Sequence, residues 1–196
     1  MRSRIARGWL LALSVVLAAC VGAPAPKEQY YTLSSPDPGA APPASDSPSI
    51  YVGPVTVPDA VDRPSMVLRT GPNQVDVSDD YRWAELLRNA IPRVIGDVLS
   101  RELGTSRVLT SRSASATPVD IRVSIEIQRF DSSLTDGATI DAVWSVKDVA
   151  NGKTKNGRSV VHEALASQGP AGVAAAHSRA LERVGKEIAG ALREVR

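Results

Sequence analysis

Cysteine occurs once, histidine twice and aromatic residues eight times among the 196 residues. A single cysteine permits no internal disulfide and no Cys-rich zinc site. The two histidines, His162 and His177, lie on different predicted elements and have no metal-ligand neighbour at helical or hairpin spacing, so a metal is not expected. The chain has no Gly-x-Ser-x-Gly elbow, no Ser-x-x-Lys and no glycine-rich phosphate loop. That points away from an enzyme and from a cofactor. Paired carboxylates such as Asp79-Asp80 could serve acid/base chemistry, yet ahead of a helix they more often cap it. No Lys/Arg-rich run interleaved with aromatics is present, so a nucleic-acid partner is not expected either.

Long apolar runs are also lacking, with one short exception. Arg2, Arg4 and Arg7 precede an apolar stretch from Trp9 to Ala19, the layout of a secretory signal. A transmembrane helix needs about 20 apolar residues, and this stretch is followed at once by Gly22, Pro24 and Pro26. It ends in Leu17-Ala18-Ala19-Cys20, which looks like a lipobox: small residues open the backbone to the peptidase, and the thiol is the nucleophile that takes the diacylglyceryl group. Residues 1–19 therefore read as a lipoprotein signal peptide and Cys20 as the lipid attachment site. The alternative is an ordinary cleavage near Ala23 and Pro24. Removing residues 1–19 takes away three arginines and no acids, leaving 20 basic against 21 acidic residues. The mature chain is near neutral.

Residues 20–48 read as the lipidated N-terminus and a Pro/Ala/Ser-rich tether, since seven of the fourteen prolines fall in 21–48. Residues 30–33, Tyr30-Tyr31-Thr32-Leu33, interrupt the tether and are able to dock as a strand. Residues 49–196 read as one domain. Strands are expected over Ile50–Val57, on both sides of Gly71-Pro72-Asn73, and briefly over Arg107–Thr110. Val119 to Gln128 alternates apolar and polar residues, Ala138 to Val146 repeats the pattern, and a third strand returns over Lys153–Leu165 after the Asn151-Gly152 two-residue turn signal. A helix is predicted from Tyr81 to Leu103, capped by Asp79 or Asp80, ended by Gly104 and kinked or broken at Pro92. A second opens at Gly169-Pro170, with His177 on its apolar stripe as a packed core imidazole with one hydrogen bond. Trp83 and Trp144 read as core. The class is α+β in two layers, an antiparallel or mixed sheet with two amphipathic helices packed on one face.

Tyr30-Tyr31-Thr32-Leu33, Ile50-Tyr51-Val52-Gly53-Pro54-Val55 with Pro58, Asp62-Arg63-Pro64 and Tyr81-Arg82-Trp83-Ala84-Glu85, in this order and spacing, resemble the ABC-type transport auxiliary lipoproteins, the PqiC-like family. The resemblance covers essentially the whole mature chain. It departs where Ala60 and Val61 precede Asp62, where an aromatic is common in the family. It implies a non-enzymatic subunit of a lipid transport system whose partner is an MCE-domain protein, held at the outer membrane by the lipid anchor; Val21 after Cys20 agrees with outer-membrane placement. It leaves homo-oligomerisation into a ring open. Arg63, Tyr81, Arg82 and Glu85 are the candidate partner contacts. The structural alternative is that Arg63 and Glu85 pair with each other and Pro64 fixes a turn. A lipid-binding carrier and an envelope hydrolase are the rival functions.

Overall fold

The computed structural model describes residues 27–35 and 47–195. The expected signal peptide, Cys20 and most of the expected tether lie outside them. Eight strands form one mixed sheet: β1 (Gln29–Tyr31), β2 (Ile50–Thr56), β3 (Ser65–Gly71), β4 (Gln74–Trp83), β5 (Val108–Leu109), β6 (Ile121–Ser133), β7 (Gly137–Asp148) and β8 (Thr154–Glu163). Two helices, α1 (Leu87–Leu103) and α2 (Pro170–Val195), complete the α+β fold, with a short 3-10 turn at Arg112–Ala116.

The long strand β6 organises the sheet. One of its edges carries β7 in antiparallel register from Ile121 to Ser133, and β8 continues beyond β7 as expected from the alternating patterns. The other edge is shared. Its first half pairs in parallel with β2, and Ser132 pairs with Leu68 of β3. A bulge between Ile127 and Arg129 resets the alternation. Ile121, Val123, Ile125 and Ile127 are therefore buried, and after the bulge Phe130 and Ser132 are buried in their turn.

The helices cover the apolar face formed by these residues and by Ile140, Ala142, Trp144 and Val146. The second helix packs over β7 and β8; the first packs on β2, β5 and its fellow helix. Gly185 allows the two helices close approach, because a Cβ there would lie 2.7 Å from Val98. Gly104, at φ 63°, ends the first helix in the left-handed conformation. Among the described residues, no helix is long and apolar enough to cross a membrane.

Four sequence expectations are corrected. Tyr81 and Trp83 belong to β4, and the helix begins only at Leu87. The strand is prolonged because Gln29–Tyr31 docks beside it in parallel, Gln29 opposite Tyr81 and Tyr31 opposite Trp83, a long-range pairing that periodicity cannot register. Asp79 and Asp80 consequently lie in the strand; the N-cap is Leu86, which makes no side-chain cap hydrogen bond, and the first-turn amide Arg88 N donates instead to the distant Asp62 Oδ1 (3.2 Å) while Asp62 Oδ2 pairs with Arg88 Nε (2.8 Å). Pro92 sits inside the first helix, which runs unbroken through it. The β7–β8 connection is also longer than a two-residue turn: Asp148 N donates to Lys153 O, and Gly152 takes φ 72°.

Candidate functional site

Most of the motif residues are engaged inside the molecule. Arg82 pairs with Glu28 at 2.7 Å. Tyr81 meets Tyr31 edge to face, with ring centroids 6.3 Å apart. Glu85 pairs with Arg93, not with Arg63, and the Arg93 guanidinium also donates to Leu33 O at 3.0 Å. Pro64 O accepts from Trp83 N at 2.6 Å, and Tyr31 O accepts from Ala84 N at 2.9 Å. Ser34 N donates to Ser178 Oγ, and Leu33 is fully buried. These contacts hold the Tyr30–Leu33 segment, the Asp62–Pro64 loop and the start of the first helix together as one scaffold.

Arg63 is the exception among the four candidates. It is exposed, and its side chain has no hydrogen-bond or ion-pair partner among the described residues. It overhangs an open groove of about 480 Å³ between the 58–63 loop and the outer face of β4, β3 and β6. The floor is apolar: Val61, Val67, Val75 and Val77 line it, and Val75 and Val77 are 53% and 41% exposed. The rim is basic. Arg69 Nη2 lies 2.7 Å from Asp131 Oδ1, and Arg129 pairs with the other oxygen of the same carboxylate. Burial opposes ionisation of Asp131, yet the hydrogen bonds from Arg69 and Arg129 prevail and hold its carboxyl below the usual range. Two guanidinium groups thus share one carboxylate, and Arg63 lines the same groove without a partner. The buried Nε of Arg69 has no acceptor.

Val75, Val77, Arg69 and Arg129 were not legible as site residues in the sequence. The available signal was a hairpin apolar on both faces: Met66 and Leu68 are buried on one, while Val67, Val75 and Val77 line the groove on the other. A second groove, of about 670 Å³, opens between β2 and the start of the first helix. Its two guanidinium groups, Arg88 and Arg93, are taken by Asp62 and Glu85.

His177 is fully buried, stacked on Phe130 at 3.8 Å with Trp83 edge-on at 6.0 Å. Its Nε2 lies 2.8 Å from Ser132 Oγ, and its Nδ1 has no partner. Burial pushes its pKa down to about 3, so it is a neutral core imidazole. His162 is exposed on β8, against Thr139. Among the described residues, no three His, Cys, Asp or Glu side chains converge to hold a metal.

Residues 31–189 match the family model described as ABC-type transport auxiliary lipoprotein component. No curated protein sequence matches the chain. A crystal structure of an uncharacterized protein superposes with a TM-score of 0.68 at 15% identity, covering 85% of this chain and 99% of that one. A Xanthomonas campestris protein of the family DUF330 superposes with a TM-score of 0.60 at 19% identity, covering 83% and 93%. At these identities the two structures show the shared fold.

Proposed function

Because the chain belongs to the ABC-type transport auxiliary lipoprotein family, we propose that it is a non-enzymatic subunit, anchored to the outer membrane through acylated Cys20, that docks a periplasm-spanning MCE-domain assembly moving lipids. The observation that carries this reading is the family match, which spans β1 to the last turns of the second helix.

The docking of β1 supports it physically. If residues 20–48 were all tether, the domain could wander far from its anchor. With Gln29–Tyr31 in the sheet, only residues 21–28 separate Cys20 from the sheet, a reach of at most about 32 Å. Two or more acyl chains at ~0.8 kcal/mol per buried methylene hold far better than one. The domain is kept against the membrane, where the end of a spanning assembly arrives.

Separating inner and outer membranes on a density gradient tests this. The wild-type chain should sediment with the outer membrane, and Cys20→Ser should move to the soluble periplasmic fraction. Retention of unacylated Cys20→Ser in the membrane fraction contradicts the anchor.

A further inference from the structure

We infer that the groove beneath Arg63 seats an amphipathic helix of the transport partner, which lays an apolar stripe on the valine floor and turns carboxylates to the arginine rim. The inference rests on the docking reading above and names the chemistry of the partner's contact.

Three observations converge on this occupant. First, the β3–β4 hairpin is apolar on both faces. Met66 and Leu68 enter the core under the helices, whereas Val67, Val75 and Val77 line the groove on the outer face, where Val75 and Val77 remain half exposed. An apolar patch rimmed by charge is the mark of an interaction site. Second, the floor offers side chains and no strand edge. Val67 is paired with Val77 and Arg69 with Val75, so the backbone groups of this ladder point along the sheet and not out of its face. An extended segment laid across that face would set its own N–H and C=O groups against valine methyls, unpaired. A helix satisfies its backbone internally and presents only side chains to a groove. Third, the charges select the sign. Arg63, Arg69 and Arg129 line the groove against a single acid, Asp131, which Arg69 and Arg129 already share. Asp59, Asp76, Asp79 and Asp80 do not line it, and Asp62 is held by Arg88. Carboxylates flanking the stripe of an incoming helix would complete the rim, whereas ammonium groups would be repelled.

The probe is an acetylated alanine-based helix of about 18 residues, with leucines at three- and four-residue spacing and glutamates on both flanks of that stripe. It is compared with the same helix carrying lysine for glutamate, and with the glutamate peptide broken by two central prolines. Backbone amide NMR of the mature chain, residues 20–196 with Cys20→Ser, locates the contact, and fluorescence anisotropy reads affinity. The glutamate helix should shift the amides of Val61, Val67, Val75 and Val77. The lysine helix and the proline-broken peptide should each bind at least about fivefold more weakly. Arg63→Glu and Val77→Asp, both at exposed positions, should weaken the glutamate helix by a similar factor with the thermal transition unchanged. The inference is overturned by any of five results: no helix shifts those amides; the glutamate and lysine helices bind equally; the proline-broken peptide binds as well as the intact helix; deletion of residues 21–26 shifts the same amides in the free chain, meaning that the leash fills the groove; or phosphatidylglycerol vesicles displace the helix. Crosslinking to the transport partner in cells that survives Arg63→Glu and Val77→Asp overturns the groove and leaves the docking reading intact. Absence of any crosslink to a transport component overturns the docking reading itself.

Discussion

At the scale of single residues, His177 has the clearest consequence. Its ordinary pKa of 6.5 is pushed down to about 3 by burial among Phe130, Trp83 and the second helix. Above pH 6.5 the imidazole is neutral whether the chain is folded or not, and its packing contributes fully. Below 6.5 the unfolded chain binds a proton that the folded chain refuses, so stability falls by about 1.4 kcal/mol per pH unit down to about pH 3. The carboxylates lowered by guanidinium partners, Asp131 and Asp141, add to the loss only further down, below the usual carboxylate range. Asp97, raised by burial, works in the opposite direction. Urea denaturation should therefore show the protein about 2 kcal/mol less stable at pH 5 than at pH 7. The same comparison in His177→Gln should be nearly flat, whatever the substitution itself costs. The sequence supported this placement because His177 falls at a core position of an apolar helical stripe. It could not reveal the ring stack with Phe130, since Phe130 comes after a bulge that breaks the alternation.

At the scale of elements, close approach of β8 to its neighbour depends on one glycine. Trp144 Nε1 donates to Ser159 Oγ at 2.9 Å, and its ring lies over Gly157, where a Cβ would come within 2.2 Å of the indole. Gly157→Ala should cost about 1–3 kcal/mol through displacement of that ring, measured by thermal or urea unfolding. Elements with strong local patterns were legible from sequence: β6, β7, β8 and the second helix follow alternation, turn glycines and an apolar stripe. Elements fixed by distant partners were not. Tyr81 and Trp83 fit a helical stripe as well as a strand, and the distant partners β1 and Pro64–Ser65 decide for the strand. Asp62 accepts a first-turn amide of a helix that starts 25 residues later, which no local capping signal encodes. The candidate site divides the same way. Arg63 was singled out from its motif and stands free, whereas Tyr81, Arg82 and Glu85 have partners inside the molecule, and the valine floor emerged only when β3, β4 and β6 came together.

At the scale of the whole molecule, the features fit a piece that is held at one place and held onto. The two-layer domain buries His177 and keeps most of its ion pairs at the surface, where each is worth little to stability. A groove with both an apolar floor and an unpaired cation lies over β4, the strand that β1 pairs with. An anchor and a docking groove on neighbouring strands would place a partner's end close to the bilayer. The most direct measurement of this account is photo-crosslinking in intact cells, with a photoreactive residue in place of Val77 and, as control, in place of Val160 on the exposed outer strand β8. The account predicts a crosslink from position 77 to an MCE-domain transport protein and none from position 160. Efficient crosslinking at position 77 that yields no transport component would contradict it.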